Sequence, residues 1–288
     1  MERDAVIAVL GATGRQGGAV TRHLLADGRR VLALTRNPDS AAAKALRSAG
    51  ADVARCDMDD VDSLCRVLAG AYGVYSVQNP MIAGHDGEIR QGKNVADAAK
   101  TTGIQHVVYA SAGPGIRGTG VNSWESKLVI ADHLANSGVP LTVLRPTAFM
   151  ELMTDKDFYP PVAVWHVMPK LAGPHTPIPW LAVNDLGAIA ARAFADPTRF
   201  IGAELPLAAE FRSIAECRQA WTTATGRPPR SFPLPTRLFE RFTGKDLTTM
   251  WHWLANNPVP TDPSTTAKLL AHPTTLEQFL TKPRPTKP

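Results

Sequence analysis

The 288-residue chain predicts an α/β fold, a doubly wound parallel sheet followed by a smaller C-terminal α+β lobe. Three observations carry this. Strand-length apolar runs alternate with helix-length segments through the first half of the chain, the pattern of a parallel sheet with ligands at the strand C-terminal ends. The first run, Ala5 to Leu10, feeds directly into the glycine-rich turn Gly11-Ala12-Thr13-Gly14-Arg15-Gln16-Gly17-Gly18. An amphipathic segment follows, with Val20, Leu24 and Leu25 at helical spacing and Gly28 as its stop. Strand, glycine turn and helix open a dinucleotide-binding βαβ unit. Glycine lets the backbone approach a pyrophosphate, and the helix N-terminus offers unpaired N–H groups.

The remaining elements follow in order. Val31–Thr35 is a second strand, Asp39–Ala49 a helix and Asp52–Cys56 a third strand. A helix carries Val61, Leu64, Val67 and Leu68, with Asp59 or Asp60 as its cap. Gly73–Val77 is a fourth strand, and a long helix is predicted from Gly87 to Thr102. His106–Ala110 is the fifth strand, Ser123–Ser137 a helix and Pro140–Leu144 the sixth strand. The regularity stops near Met150. From Tyr159 to Trp180 the chain is rich in proline and aromatics. A helix opens at Asn184, Glu204–Leu207 is a strand, and short proline-broken helices finish the chain. This predicts a nucleotide-binding domain over residues 1–150, with 180–200 packing back on it. Residues 151–288 form the substrate-side lobe, ending in a flexible basic tail, 282–288.

Composition is that of an ordinary globule, 44% hydrophobic and 20% charged. The net charge of +5 falls to +2 without Lys282, Arg284 and Lys287 of the tail. No basic stripe marks the fold, so no nucleic-acid partner is expected. No apolar run reaches membrane-spanning length. Cys56, Cys65 and Cys217 form neither a disulfide framework nor a metal motif, so a reducing cytoplasm is the expected location. Neither a metal constellation nor a serine nucleophile elbow is present.

The second strand ends in Thr35-Arg36, where an NAD-binding domain often places a carboxylate for the ribose hydroxyls. Arg36 can instead pair with a 2′-phosphate, which favours NADP(H). Gly11, Thr13, Gly14, Arg15, Gln16 and Gly17 form the expected phosphate turn. Asp57 and Met58 follow the third strand, where adenine would lie. Val77, Gln78 and Asn79 end the fourth strand beside the dinucleotide. Pro146 and Thr147 end the sixth, where backbone groups could meet the carboxamide. Asn79-Pro80 also reads as a plain turn.

These residues bring a family into view. The glycine turn, Thr35-Arg36-Asn37-Pro38, Val107-Val108-Tyr109-Ala110-Ser111, Trp124-Glu125-Ser126-Lys127 and Leu144-Arg145-Pro146-Thr147-Ala148-Phe149-Met150 resemble the NmrA-like atypical short-chain dehydrogenase/reductases. The resemblance implies a Rossmann domain, NADP preference and a small-molecule substrate in a cleft against the C-terminal lobe. It leaves oligomerisation open. The family includes NADPH-dependent reductases of quinones, dyes and phenylpropanoid-like molecules, and proteins that read NADP(H) as a redox signal.

The wider superfamily uses a Tyr-x-x-x-Lys pair, a phenol and an ammonium one helical turn apart. None of the four tyrosines, Tyr72, Tyr75, Tyr109 and Tyr159, has a lysine four residues on. Lys127 stands at the family's lysine position, and Ser123 stands four residues before it. The catalytic candidates are therefore Lys127 as ribose anchor and alternative proton donor, with Ser111 and Ser123 as orienting hydroxyls. Three functions stay open: an NADPH-dependent reductase of an apolar or aromatic electrophile (a quinone, enone or imine), a non-catalytic NADP(H) sensor acting through a protein partner, and an enzyme using bound cofactor in non-redox chemistry. His85, His166 and His175 fall in expected loops, and no spacing ties any of them to Lys127. Trp165, Trp180, Phe149 and Met150 are expected in the core, with an aromatic-substrate pocket as the alternative.

Overall fold

The computed structural model describes residues 5–157 and 163–281; Tyr159 and the tail 282–288 lie outside them. Ten strands and thirteen α-helices are formed by the described residues. The strands are β1 (Val6–Val9), β2 (Arg30–Thr35), β3 (Asp52–Arg55), β4 (Gly73–Ser76), β5 (His106–Ala110), β6 (Leu141–Pro146), β7 (Ala148–Phe149), β8 (Ile178–Leu181), β9 (Glu204–Leu207) and β10 (Glu210–Arg212). The first seven helices are α1 (Arg15–Ala26), α2 (Ala41–Ser48), α3 (Val61–Leu68), α4 (Pro80–Thr101), α5 (Asn122–Ser137), α6 (Met168–Leu171) and α7 (Val183–Ala195). After them come α8 (Pro197–Phe200), α9 (Ile214–Thr225), α10 (Thr236–Thr243), α11 (Asp246–Asn256), α12 (Pro263–Leu269) and α13 (Leu276–Thr281).

The chain divides into two compact units. Among the described residues, the first comprises 5–117, 122–146 and 183–205, and the second 118–121, 147–157, 163–182 and 206–281. The first is a Rossmann-like α/β unit around a seven-stranded sheet of order β3-β2-β1-β4-β5-β6-β9. All pairs from β3 through β6 are parallel. The order reverses between β1 and β4, the switch point beside which doubly wound sheets bind nucleotides.

Strand alternation sorts the core into two sides. Ala8, Leu10, Val74, Val107 and Tyr109 pack in one cluster with Leu64 of α3, Val95 and Ala99 of α4, and Ile130 of α5. The intervening residues face α1 and α7. There a Cβ on Gly73 would lie 2.8 Å from the Phe194 ring, and the Phe194 ring also meets His106 edge-on. Helix α7 backs onto α1 so closely that a Cβ on Gly187 would lie 2.7 Å from the Ala19 backbone.

Capping sets the helix starts. Ser40 accepts from the Ala43 amide to begin α2, and Asp60 accepts from Ser63 to begin α3. Helix α4 begins at Pro80, not Gly87 as the sequence predicts. Asn79 caps it, accepting from the Met81 amide, and Pro80 takes the first helical position, where its missing N–H costs nothing. Its helical course breaks once, at Gly84 (φ 73°, ψ 169°).

The second unit holds a three-stranded sheet, β10-β8-β7, which the aromatic, proline-rich sequence concealed. Pro179 sits within β8, where it argues against a strand by pattern alone. Trp180 anchors this sheet, with its indole N–H donating to the Arg212 carbonyl at 2.9 Å. Trp165, Trp180, Phe149 and Met150 are all buried, in accord with a core role.

His106 gives the first unit a pH signature. It is fully buried, its Nε2 lies 2.8 Å from Thr142 Oγ1, and Thr142 donates to the Phe200 carbonyl. The ring therefore carries its proton on Nε2. Burial lowers its pKa from 6.5 to about 4. Between those values the unfolded chain binds a proton that the folded chain refuses, so stability falls as pH drops through that window and is flat above it. From pH 7.5 to pH 4 this one group should remove about 3 kcal/mol, measurable by urea unfolding. His106→Gln, which keeps a donor toward Thr142, should show that much less acid sensitivity. An unchanged slope would refute the assignment.

Candidate functional site

The glycine turn is built by close backbone approach. Gly11 takes φ +62°, and its added Cβ would meet Val77 Cγ1 at 3.3 Å. A Cβ on Gly17 would lie 2.6 Å from the Gly11 carbonyl carbon, so α1 can start against the turn only as glycine. Gly14, the cap residue, contributes no side-chain oxygen to the first amides of α1. The helix presents its N-terminal N–H groups and positive dipole end at the strand C-termini, the geometry of an anion site.

The turn is braced from two sides. Tyr75, fully buried on β4, donates its phenol to Gln16 Oε1 at 3.3 Å. Thr13 and Thr35 hydroxyls lie 3.4 Å apart, which joins the turn to the end of β2. Arg36 follows there, exposed. The sequence shows no carboxylate beside Arg36, yet the fold brings Asp59 within its electrostatic reach. Asp59 is bound by Gln91 Nε2 and Arg90 Nε, each at 2.8 Å. Those contacts, the Gln91 hydrogen bond foremost, hold its carboxyl below the usual range.

Asp57 spends one carboxylate oxygen on the Asp59 amide at 3.0 Å. The Met58 carbonyl accepts from Asn94 Nδ2 at 2.9 Å. Asn79 is occupied by its capping bond. Pro146 ends β6 in the first unit. Thr147 falls in the second unit, with its amide and hydroxyl both directed to the Leu207 carbonyl.

Lys127 is 8% exposed and lies on α5 facing α4. Its Nζ donates to Glu88 Oε1 at 2.8 Å and to the Gln78 carbonyl at 3.3 Å. Glu88 is fully buried, and its other oxygen accepts from the Ser126 hydroxyl. Tyr109, on the strand beneath, donates to the Lys127 carbonyl at 3.4 Å. Burial, with the Glu88 charge adding to it, holds that phenol well above its ordinary pKa. Sequence reading missed Glu88. One signal was available: it interrupts an otherwise apolar stripe of Gly92, Val95, Ala96 and Ala99 on α4.

Two buried polar atoms just past the ends of β4 and β5 have no partner: Gln78 Oε1 and Ser111 Oγ. Gln78 Nε2 is held by Ser76 Oγ at 2.9 Å, which fixes the amide plane. Buried polar atoms are ordinarily bonded, so such atoms at strand C-termini point to a bound group. The uncapped helix, the glycine cradle and these atoms together fit a dinucleotide. Burial pushes the Cys56 thiol to about 11 and Cys217 to about 12, which keeps both protonated and unreactive. No group of histidines, cysteines and carboxylates able to hold a metal occurs among the described residues. No helix among them is long and apolar enough to cross a membrane.

The ion pair makes a direct stability prediction. Glu88→Leu leaves a buried ammonium unpaired and should cost about 3–5 kcal/mol. Adding Lys127→Met should recover most of that loss, because two apolar side chains replace two desolvated charges. A double variant no more stable than Glu88→Leu in urea would refute the pairing.

A family model described as the NmrA-like family matches residues 3–280. The NmrA-like family domain-containing oxidoreductase FrzB of Cladobotryum sp is 29% identical over 255 residues, covering 80% of this chain and 76% of that protein. Among solved structures, NmrA, a negative transcriptional regulator, matches in its complex with NADP (TM-score 0.75, 21% identity, 98% of this chain and 95% of that one). Its complex with NAD matches too (TM-score 0.79, 20% identity, 98% and 95%). An NADPH-dependent quinone oxidoreductase from Escherichia coli shares the fold (TM-score 0.75, 22% identity, 95% and 98%). With a glycine cradle at the sheet's switch point and a family match running almost end to end, the chain belongs to the NmrA-like family.

Proposed function

We propose that the protein is an NADPH-dependent reductase of a small electrophilic acceptor, apolar or aromatic, of quinone, enone or imine type. The observation that carries this reading is Lys127. A buried carboxylate holds its ammonium against the Gln78 carbonyl, just past the end of β4, where the Gln78 side-chain oxygen is unpartnered. That arrangement suits a nicotinamide ribose better than it suits a purely structural role. NADPH, when bound, supplies the hydride. Residues Gly11 to Gly17 and the N-terminus of α1 would hold the pyrophosphate. Arg36 would pair with the 2′-phosphate, Lys127 would bind the ribose hydroxyls, and Ser111 would orient the acceptor. The quinone and oxidoreductase names among the similar proteins support this class.

A second reading, a non-catalytic NADP(H)-responsive regulator, is favoured by Ser123, a weak acid where a phenol would donate a proton. The regulator NmrA shares the fold. One assay separates the two: purified protein, NADPH and a panel of quinones, enones and imines, followed by loss of reduced-nicotinamide absorbance. Oxidation that collapses in Lys127→Ala supports the reductase. Tight NADPH binding with no oxidation across the panel overturns it in favour of the regulator.

Arg36 tests the cofactor. Arg36→Ala should weaken NADPH at least tenfold, the scale of one charge-assisted pair, and leave NADH within about twofold. Equal losses in a fluorescence titration would overturn the 2′-phosphate assignment.

A further inference from the structure

Hydride reduction of a carbonyl-type acceptor leaves charge on oxygen, and something must protonate it. The hydroxyls near Lys127 are poor acids at neutral pH, and Tyr109 and Tyr75 are buried and committed to Lys127 and Gln16. The register of two helices points to another group. Helices α4 and α5 run side by side in the same direction, each returning from a parallel strand. Glu88 meets Ser126 and Lys127. One turn on, a Cβ at Gly92 would lie 2.6 Å from the Ile130 side chain, and further along Asp97 meets His133 at 2.8 Å. The same offset one turn before Glu88 brings His85 level with Ser123. His85 lies three residues before Glu88, on the stripe that faces α5. It is half-buried, and its Nδ1 is sealed from water without a partner.

Glu88 on its own helix and Lys127 on α5 are buried charged groups of that face. Asp59, from the loop before α3, is taken by Arg90 and Gln91. Met81 and Ile82, 60% and 64% exposed, precede the break at Gly84.

We propose that His85 is the catalytic proton donor, a role that rests on the reductase reading. The acceptor takes a hydride at carbon from NADPH, its carbonyl electron pair moves to oxygen, and the His85 imidazolium gives its proton to that oxygen. The ring is then neutral and regains a proton from water, so each turnover consumes one NADPH, one acceptor and one proton. The sequence left His85 unassigned because no local spacing links it to Lys127; the shared register of α4 and α5 puts it at the level of Ser123, four residues before Lys127.

The test uses the full chain. Diethyl pyrocarbonate modifies accessible imidazoles, and peptide mass spectrometry reads each histidine separately. Saturating NADPH, set by tryptophan-fluorescence titration, should slow modification of His85 at least tenfold and leave exposed His252 and His272 unchanged. Binding without protection of His85 overturns its role and leaves the reductase reading standing; absence of any dinucleotide binding overturns both. His85→Ala should lower kcat at least thirtyfold with NADPH affinity within twofold, and imidazole in the buffer should restore part of the rate. An unchanged kcat overturns the proposal.

Discussion

The buried pair of Glu88 and Lys127 is the constraint on which the site depends. Removing two charges from water costs several kcal/mol per ion, and only close geometry with further hydrogen bonds offsets it. Here Ser126 takes the second carboxylate oxygen and the Gln78 carbonyl takes a second ammonium proton. The pair therefore ties α4, α5 and the end of β4 at one point. A shift of either helix by one residue would leave both charges stranded, so the pair specifies register more than it adds stability. Gly92 makes the same register sterically available, since any side chain there would strike Ile130.

The two faces of the sheet contribute different parts of the site through buried phenols. Tyr75 points toward α1 and holds Gln16, while Tyr109, on the neighbouring strand, points the other way and holds the backbone at Lys127. Neither phenol can titrate at working pH, so each acts as a fixed donor that positions a neighbour. The charge pattern is coherent with a polyphosphate ligand: a helix N-terminus and Arg36 are positive, Glu88 and Lys127 neutralise each other, and Asp59 is bound by Arg90 and Gln91.

Much of the fold was legible because its signals are local. Strand runs, the glycine turn and the Asp60 cap all lie within a few residues of the structure they specify. The start of α4 was not, because Asn79-Pro80 serves equally as a turn and as a cap followed by a first-turn proline. The small sheet of the second unit was hidden by Pro179, whose place in β8 depends on its neighbours β7 and β10. Of the proposed site, the glycines, Arg36 and Lys127 stand out by position in a motif. Glu88 does not, because its partner Lys127 lies about forty residues away on another helix.

The sequence by itself determined the alternation of strands and helices, the sharp first turn and the missing phenol before Lys127. Each follows from the backbone freedom of glycine, from side-chain period or from the identity of one residue. Tertiary structure alone decided that Glu88 would neutralise Lys127 and that Asp59 would come within reach of Arg36. Those relations are set by how two helices pack over a sheet. Packing register is a sum of many weak contacts and a few strict ones, a buried ion pair and a helix-to-helix glycine, that no local stretch of chain contains.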